Sequence, residues 1–105
     1  MNFLAISDIH GAIGALRKVL EESFAEWDIS LILFAGDLHT DPFILYKLLR
    51  KYKVKFVGIY GNHDRKDIFI LNRFNQTRIL HLGEIKRVLG LKIIGIPGVR
   101  GSGRA

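Results

Sequence analysis

Cysteine is absent from this 105-residue chain. That excludes disulfides and thiolate ligation, so a bound metal would rest on oxygen and imidazole. Long apolar runs are absent as well. The longest, residues 29–35, is interrupted by Ser30 and falls far short of the ~20 residues a membrane-spanning helix needs. Residues 1–7 contain no basic group, and their apolar stretch stops at Asp8. A secretion signal is therefore not indicated, and a cytoplasmic location with no membrane partner is expected. Basic residues are scarce early and acidic ones late. Residues 1–46 hold two basic and seven acidic groups, a net of −5, and residues 47–105 hold fourteen and three, a net of +11, giving the chain's +6. A basic surface of this kind suits polyanions such as phosphorylated ligands or nucleic acid, and serves equally as a plain solvated face.

What is present is enough for one domain. Hydrophobic residues make up 49% and charged residues 25%, which argues against disorder over most of the length. Residues 2–7 form a short apolar run, the pattern of a buried strand. Ile13, Leu16, Leu20, Phe24 and Trp27 recur at helical spacing and predict an amphipathic helix over residues 12–26. Residues 29–35, rich in β-branched and aromatic side chains and ended by Gly36, read as a second buried strand. Asp41 followed by Pro42 is an N-cap with proline at the first helical position. It predicts a helix from Pro42 to about Lys51 that buries Phe43, Leu45, Leu48 and Leu49. Residues 54–60 form a third strand, ended by Gly61. This β–α–β–α–β alternation places the chain in the α/β class, with a parallel sheet and right-handed crossovers. A short helix over residues 66–72 follows. Residues 85–89 and 92–96 then flank Gly90-Leu91 as a hairpin. Residues 98–105 contain three glycines, two arginines and a serine; they read as a loop or frayed tail, so the domain spans residues 1–97.

Each of the three predicted strands ends in polar residues of metal-binding type. Asp8-Ile9-His10 follows the first, Gly36-Asp37 the second, and Gly61-Asn62-His63-Asp64 the third. Singly these motifs are weak: Asp-x-His also describes a helix cap beside a surface histidine, and Gly-Asp a turn. Together they matter, because parallel α/β sheets collect their sites at the carboxyl ends of strands. Carboxylates and neutral imidazole suit Mn²⁺, Fe or Zn²⁺. Gly11, Gly36 and Gly61 either let the backbone turn sharply beside an ion or are ordinary turn glycines. His39 reads as a polar loop residue, and His81, between Leu80 and Leu82, as a structural histidine. Trp27, Tyr46, Tyr52 and Tyr60 read as core or rim residues rather than a base-stacking platform.

The order Asp-x-His, Gly-Asp, Gly-Asn-His-Asp, together with residues 91–98 (Leu-Lys-Ile-Ile-Gly-Ile-Pro-Gly), resembles the calcineurin-like metallophosphoesterase family. The resemblance implies a β-sandwich flanked by helices, of which this sequence carries a truncated form: the N-terminal βαβαβ half plus a hairpin. It also implies a two-metal site. Asp8 and His10 would hold the first ion, Asp37 would bridge both, and Asn62 would hold the second. His63 would lie at the substrate phosphate, oriented by Asp64. In such a site a bridging carboxylate keeps the ions about 3.5–4 Å apart, and bound water loses its proton near pH ~7. The family's pattern continues with a further histidine after a later strand and a Gly-His-x-His motif; nothing after Asp64 matches them, and the one histidine left, His81, lies in a different sequence context. The implied function is hydrolysis of a phosphomonoester or phosphodiester, with a phosphorylated small molecule or nucleotide as substrate. A second polypeptide carrying the remaining motifs is an expected partner. The other class left open is a non-catalytic metal- or nucleic-acid-binding fragment.

Overall fold

The computed structural model describes residues 2–9, 11–39, 41–61, 64 and 66–97. Four strands form a parallel sheet in the order β1-β2-β3-β4, with β1 at Asn2–Ile6, β2 at Ile29–Phe34, β3 at Lys55–Ile59 and β4 at Thr77–Leu80. Helix α1 (Ile13–Glu26) joins β1 to β2, α2 (Pro42–Arg50) joins β2 to β3, and a 3-10 helix (Lys66–Arg73) joins β3 to β4. An antiparallel hairpin, β5 (Ile85–Val88) and β6 (Leu91–Ile94), follows. When parallel strands are laid down in sequence order, right-handed crossovers put every connecting helix on the same face. Core composition agrees. Leu16 and Leu20 of α1, Leu45 and Leu49 of α2, and Ile68 and Leu71 of the 3-10 helix pack in one cluster with Ile32, Phe34, Phe56 and Ile79. The alternate strand residues Leu31, Val57 and Leu80 form a second cluster with Val88 of the hairpin. This is the period-two alternation of a sheet covered on both faces. The hairpin covers its face only in part. Beside it lies an apolar groove of about 430 Å³ lined by Ala5, Leu33, Ile59, Ile93 and Ile96 among others.

The predicted helices form where their local signals lie. The Asp41 side chain accepts a hydrogen bond from the Phe43 N–H at 2.9 Å, with Pro42 in the first turn and Lys47 and Arg50 in the last. Each group suits the partial charge of the helix end it occupies. Two apolar residues assigned to buried stripes are nonetheless open. Trp27 is 56% exposed because α1 ends at Glu26 and Trp27 is already extended; Phe43 is 43% exposed and meets Phe74 only edge-on.

Strand β4 is not foreseen by the apolar pattern. Its outer edge is closed by a side chain instead of a fifth strand. Asn72 accepts from the Ile79 N–H at 2.6 Å and donates to the Ile79 carbonyl at 3.0 Å, which pairs the edge backbone locally. The Thr77 hydroxyl, buried, donates to the Leu71 carbonyl at 2.6 Å. The hairpin turn is also displaced by one residue from the expected Gly90-Leu91. Leu89 (φ 52°) and Gly90 (φ 81°) occupy the two left-handed positions, and Leu91 opens β6. Two consecutive positive φ values match the twist of a hairpin, which is what the sheet requires. No helix among the described residues is long and apolar enough to cross a membrane, and residues 98–105 lie outside the described residues.

β4 and the hairpin are tied by Glu84. Its carboxylate accepts from the His81 N–H at 3.0 Å, from Arg78 Nε at 3.0 Å, and from a second guanidinium nitrogen of Arg78. Partial burial pushes this carboxyl up, but the His81 N–H and the Arg78 guanidinium outweigh burial and hold it below its ordinary 4.5. A depressed carboxylate contributes stability that is present above its unfolded pKa and lost as pH falls through the lower folded value. Thermal melts of the wild type and Glu84→Gln should therefore differ at pH 7 and converge toward pH 3. A gap that stays constant over that range would remove the ionic part of this account.

Candidate metal centre

Pairing between β1 and β2 does not stop where the strands do. The Ala35 N–H donates to the Ile6 carbonyl at 2.9 Å, the Asp8 N–H to Gly36 at 3.1 Å, and the Gly11 N–H to Leu38 at 2.8 Å. The loops after the two strands thus run side by side and carry Asp8 and Asp37 together along the carboxyl edge of the sheet. Apolar anchors alternate with them: Ile9 is 9% exposed and Leu38 1%. With those two pinned in the core, Asp8 is left exposed, Asp37 half-buried and His39 exposed.

All three of these polar residues adopt left-handed backbone: Asp8 at φ 53°, Asp37 at 64° and His39 at 55°. Asp and Asn tolerate this region better than most residues, yet it still costs about 1–2 kcal/mol each. Such outliers persist where surrounding bonds over-determine them, and they gather at functional sites. Gly11 at φ 78° and Gly36 at 104° complete the two turns. These two glycines are therefore conformationally required.

The bonds that hold the Asp37 turn come largely from Asp64. One of its carboxylate oxygens accepts from the Asp37 N–H at 2.9 Å and the Gly61 N–H at 2.6 Å; the other accepts from the Leu38 N–H at 2.6 Å. A single half-buried carboxylate thereby fastens the loop after β2 to the loop after β3. Gly61 serves the same junction by having no side chain. A Cβ there would lie 2.8 Å from both the Asp37 nitrogen and the Asp37 carboxyl carbon, and a Cβ on Gly36 would lie 3.0 Å from the Gly61 nitrogen.

Of the residues singled out in the sequence, Asp8, Asp37 and Asp64 converge at this edge. His10, Asn62 and His63 lie outside the described residues. Among the described residues no group of three or more His, Asp or Glu could hold an ion; Asp8 and Asp37 provide two carboxylates on adjacent strand ends. An all-oxygen and imidazole donor set built on such carboxylates is the chemistry that hard and borderline divalent ions take. Two features of the edge carry no local sequence signal: the main-chain bonds of Asp64, and the close approach at Gly61. His81 is a third. It is exposed, not buried, and it follows β4 directly at the same carboxyl edge.

A family model described as calcineurin-like phosphoesterase matches residues 1–100. No curated protein and no solved structure matches the chain.

Proposed function

The chain belongs to the calcineurin-like phosphoesterase family, and from that membership we propose that its carboxyl edge supplies part of a two-metal site for hydrolysis of a phosphoester, completed by the histidine motifs of a second polypeptide. The observation that carries this reading is the continued ladder between Asp8 and Gly36 and between Gly11 and Leu38, which sets Asp8 and Asp37 side by side in left-handed turns. In this proposal Asp8 and His10 hold one ion, Asp37 is shared, and Asn62 holds the other. Bound there, the ions would lower the pKa of a coordinated water and offset charge on the phosphoryl oxygens. Manganese, iron and zinc all suit the donors.

The chain's own groups do the rest. Asp37 is presented by a turn that Asp64 fastens through three N–H bonds, so the shared carboxylate is positioned before any ligand arrives. Such preorganisation matters because a displacement of about 1 Å at a reacting centre costs on the order of 100-fold in rate. His63, one residue before Asp64 and one after Asn62, is proposed to sit at the substrate phosphate. There it either donates a proton to the leaving oxygen or neutralises phosphate charge. Phosphorylated small molecules and nucleotides are the substrate classes proposed.

Calorimetric titration with Mn²⁺ tests the metal centre. The wild type should bind, and Asp37→Asn should bind at least about tenfold more weakly, the scale expected when a metal-site carboxylate is altered. Circular dichroism of the variant should match the wild type. Equal Mn²⁺ binding by the two proteins would overturn the assignment.

A further inference from the structure

The carboxyl edge has a fourth strand end, and the phosphoesterase reading gives it no role. β3 and β4 are paired in register, Ile59 opposite Leu80, so the next residues, Tyr60 and His81, leave the sheet side by side. Adjacent strands lie about 4.8 Å apart. His81 is therefore one strand from the Gly61–Asp64 loop and about 10 Å, two strands, from β2 and Asp37.

The surroundings of His81 are specific. Its imidazole stacks on Phe69 of the 3-10 helix, centroids 4.5 Å apart and planes 4° from parallel. Phe69 in turn meets Tyr60 edge-on at 5.4 Å. His81 nevertheless remains exposed. Phe69 covers one face of its ring. The residue is also held at the backbone. Its N–H donates to the Glu84 carboxylate at 3.0 Å, and its carbonyl accepts from the Glu84 N–H at 3.0 Å. Glu84 is itself gripped by Arg78. The result is a flat ring, backed by two more rings and held at its backbone, at the same carboxyl edge of the sheet as Asp37.

We propose that the outer face of His81 is a stacking platform for the planar base of a mononucleotide whose phosphate sits at the Asp8–Asp37 edge. This inference rests on the metal-centre reading and supplies its substrate class. A π-face accepts any base, so the platform selects for a ring without reading its identity. Because the ring already stacks on Phe69, less side-chain freedom is lost when a base is added to the stack. A phosphorylated sugar lacking a base would reach the metals and leave this surface wet.

The test measures binding of adenosine 5′-monophosphate and ribose 5-phosphate to the full chain by calorimetry, with and without Mn²⁺. It uses the wild type, His81→Ala and His81→Phe. The wild type should prefer the nucleotide by roughly tenfold, the scale of one base–aromatic stack. His81→Ala should lose that preference while keeping wild-type affinity for Mn²⁺ and for ribose 5-phosphate. His81→Phe should retain the preference, because stacking needs the ring and not its nitrogens. Equal binding of the two ligands by the wild type, survival of the preference in His81→Ala, or its loss in His81→Phe would each overturn the platform. A nucleotide preference that persists without Mn²⁺ and shows no response to the metal would support the platform and count against the metal centre instead.

Discussion

Asp64→Ala is expected to cost about 3–5 kcal/mol of folding stability, and Asp64→Asn about 2 kcal/mol. Hydrogen bonds to a charged group contribute roughly 1.5–3 kcal/mol each. Asp64 makes three, to the N–H groups of Asp37, Leu38 and Gly61. Its half-buried position argues for the low end of that range per bond. Alanine would leave three main-chain donors without their acceptor. Asparagine keeps one oxygen, able to serve Asp37 and Gly61, but turns an amide N–H₂ toward the Leu38 N–H, donor against donor. Set against a total of about 5–15 kcal/mol for a domain, either loss is large. The proposed Mn²⁺ binding should suffer more than stability alone requires, since the bonds broken hold the turn that carries Asp37. Urea denaturation at a temperature where both variants are folded gives the stability change; Mn²⁺ titration under the same conditions gives the functional one. Wild-type stability in Asp64→Asn would show that the three N–H groups find water as readily as the carboxylate.

The sequence carries the elements whose burial is written in local periodicity. Leu16 and Leu20 of α1, the alternating Leu31, Ile32 and Phe34 of β2, and the Asp41-Pro42 start of α2 are each visible within a dozen residues, because one element packs one apolar stripe. β4 is invisible on the same terms. It is four residues long; Asn72 pairs its edge at Ile79 and its Thr77 hydroxyl donates to the Leu71 carbonyl, bonds that exist only once the 3-10 helix has docked. Missing β4 hides the position of His81, which reads as a structural histidine between two leucines and in the fold is an exposed residue directly after β4, at the carboxyl edge of the sheet. The hairpin turn slipped by one residue because Leu89 is a poor candidate for φ 52°, and only the twist of the two strands demands it there. At the candidate site the position of Asp8 and Asp37 after parallel strands is legible in the sequence, and the bonds that join their loops to the next are not. Asp64 appears in the sequence as the fourth letter of a motif. Its bonds run 26 and 27 residues back along the chain, to Leu38 and Asp37, a separation no local pattern encodes.

Gly61→Ala should produce the most selective damage to the edge. A Cβ at position 61 would lie 2.8 Å from the Asp37 nitrogen, closer than real Cβ contacts come, and the obstacle is backbone that cannot rotate aside. The loops after β2 and β3 would have to part. That movement also breaks the paired bonds from Asp37 and Gly61 to a single Asp64 oxygen, so a steric fault becomes an electrostatic one. Overpacking of this kind costs about 1–3 kcal/mol, and the lost carboxylate bonds raise the expected total to about 3–4 kcal/mol. Two other glycines separate the effect from a general intolerance of alanine. At Gly14, in α1, a Cβ meets nothing within 4 Å, so Gly14→Ala should stabilise by about 0.5–1 kcal/mol through helix propensity. At Gly58, within β3, a Cβ would fall 2.6 Å from the Phe34 carbonyl oxygen, so Gly58→Ala should destabilise the sheet without touching the Asp64 bonds. Melting curves and Mn²⁺ titrations on the three variants should then diverge. Gly58→Ala should lose stability and keep Mn²⁺ affinity while folded, whereas Gly61→Ala should lose both. If Gly61→Ala, still folded, binds Mn²⁺ as tightly as Gly58→Ala does, the close approach of the two loops is a packing detail and does not position Asp37.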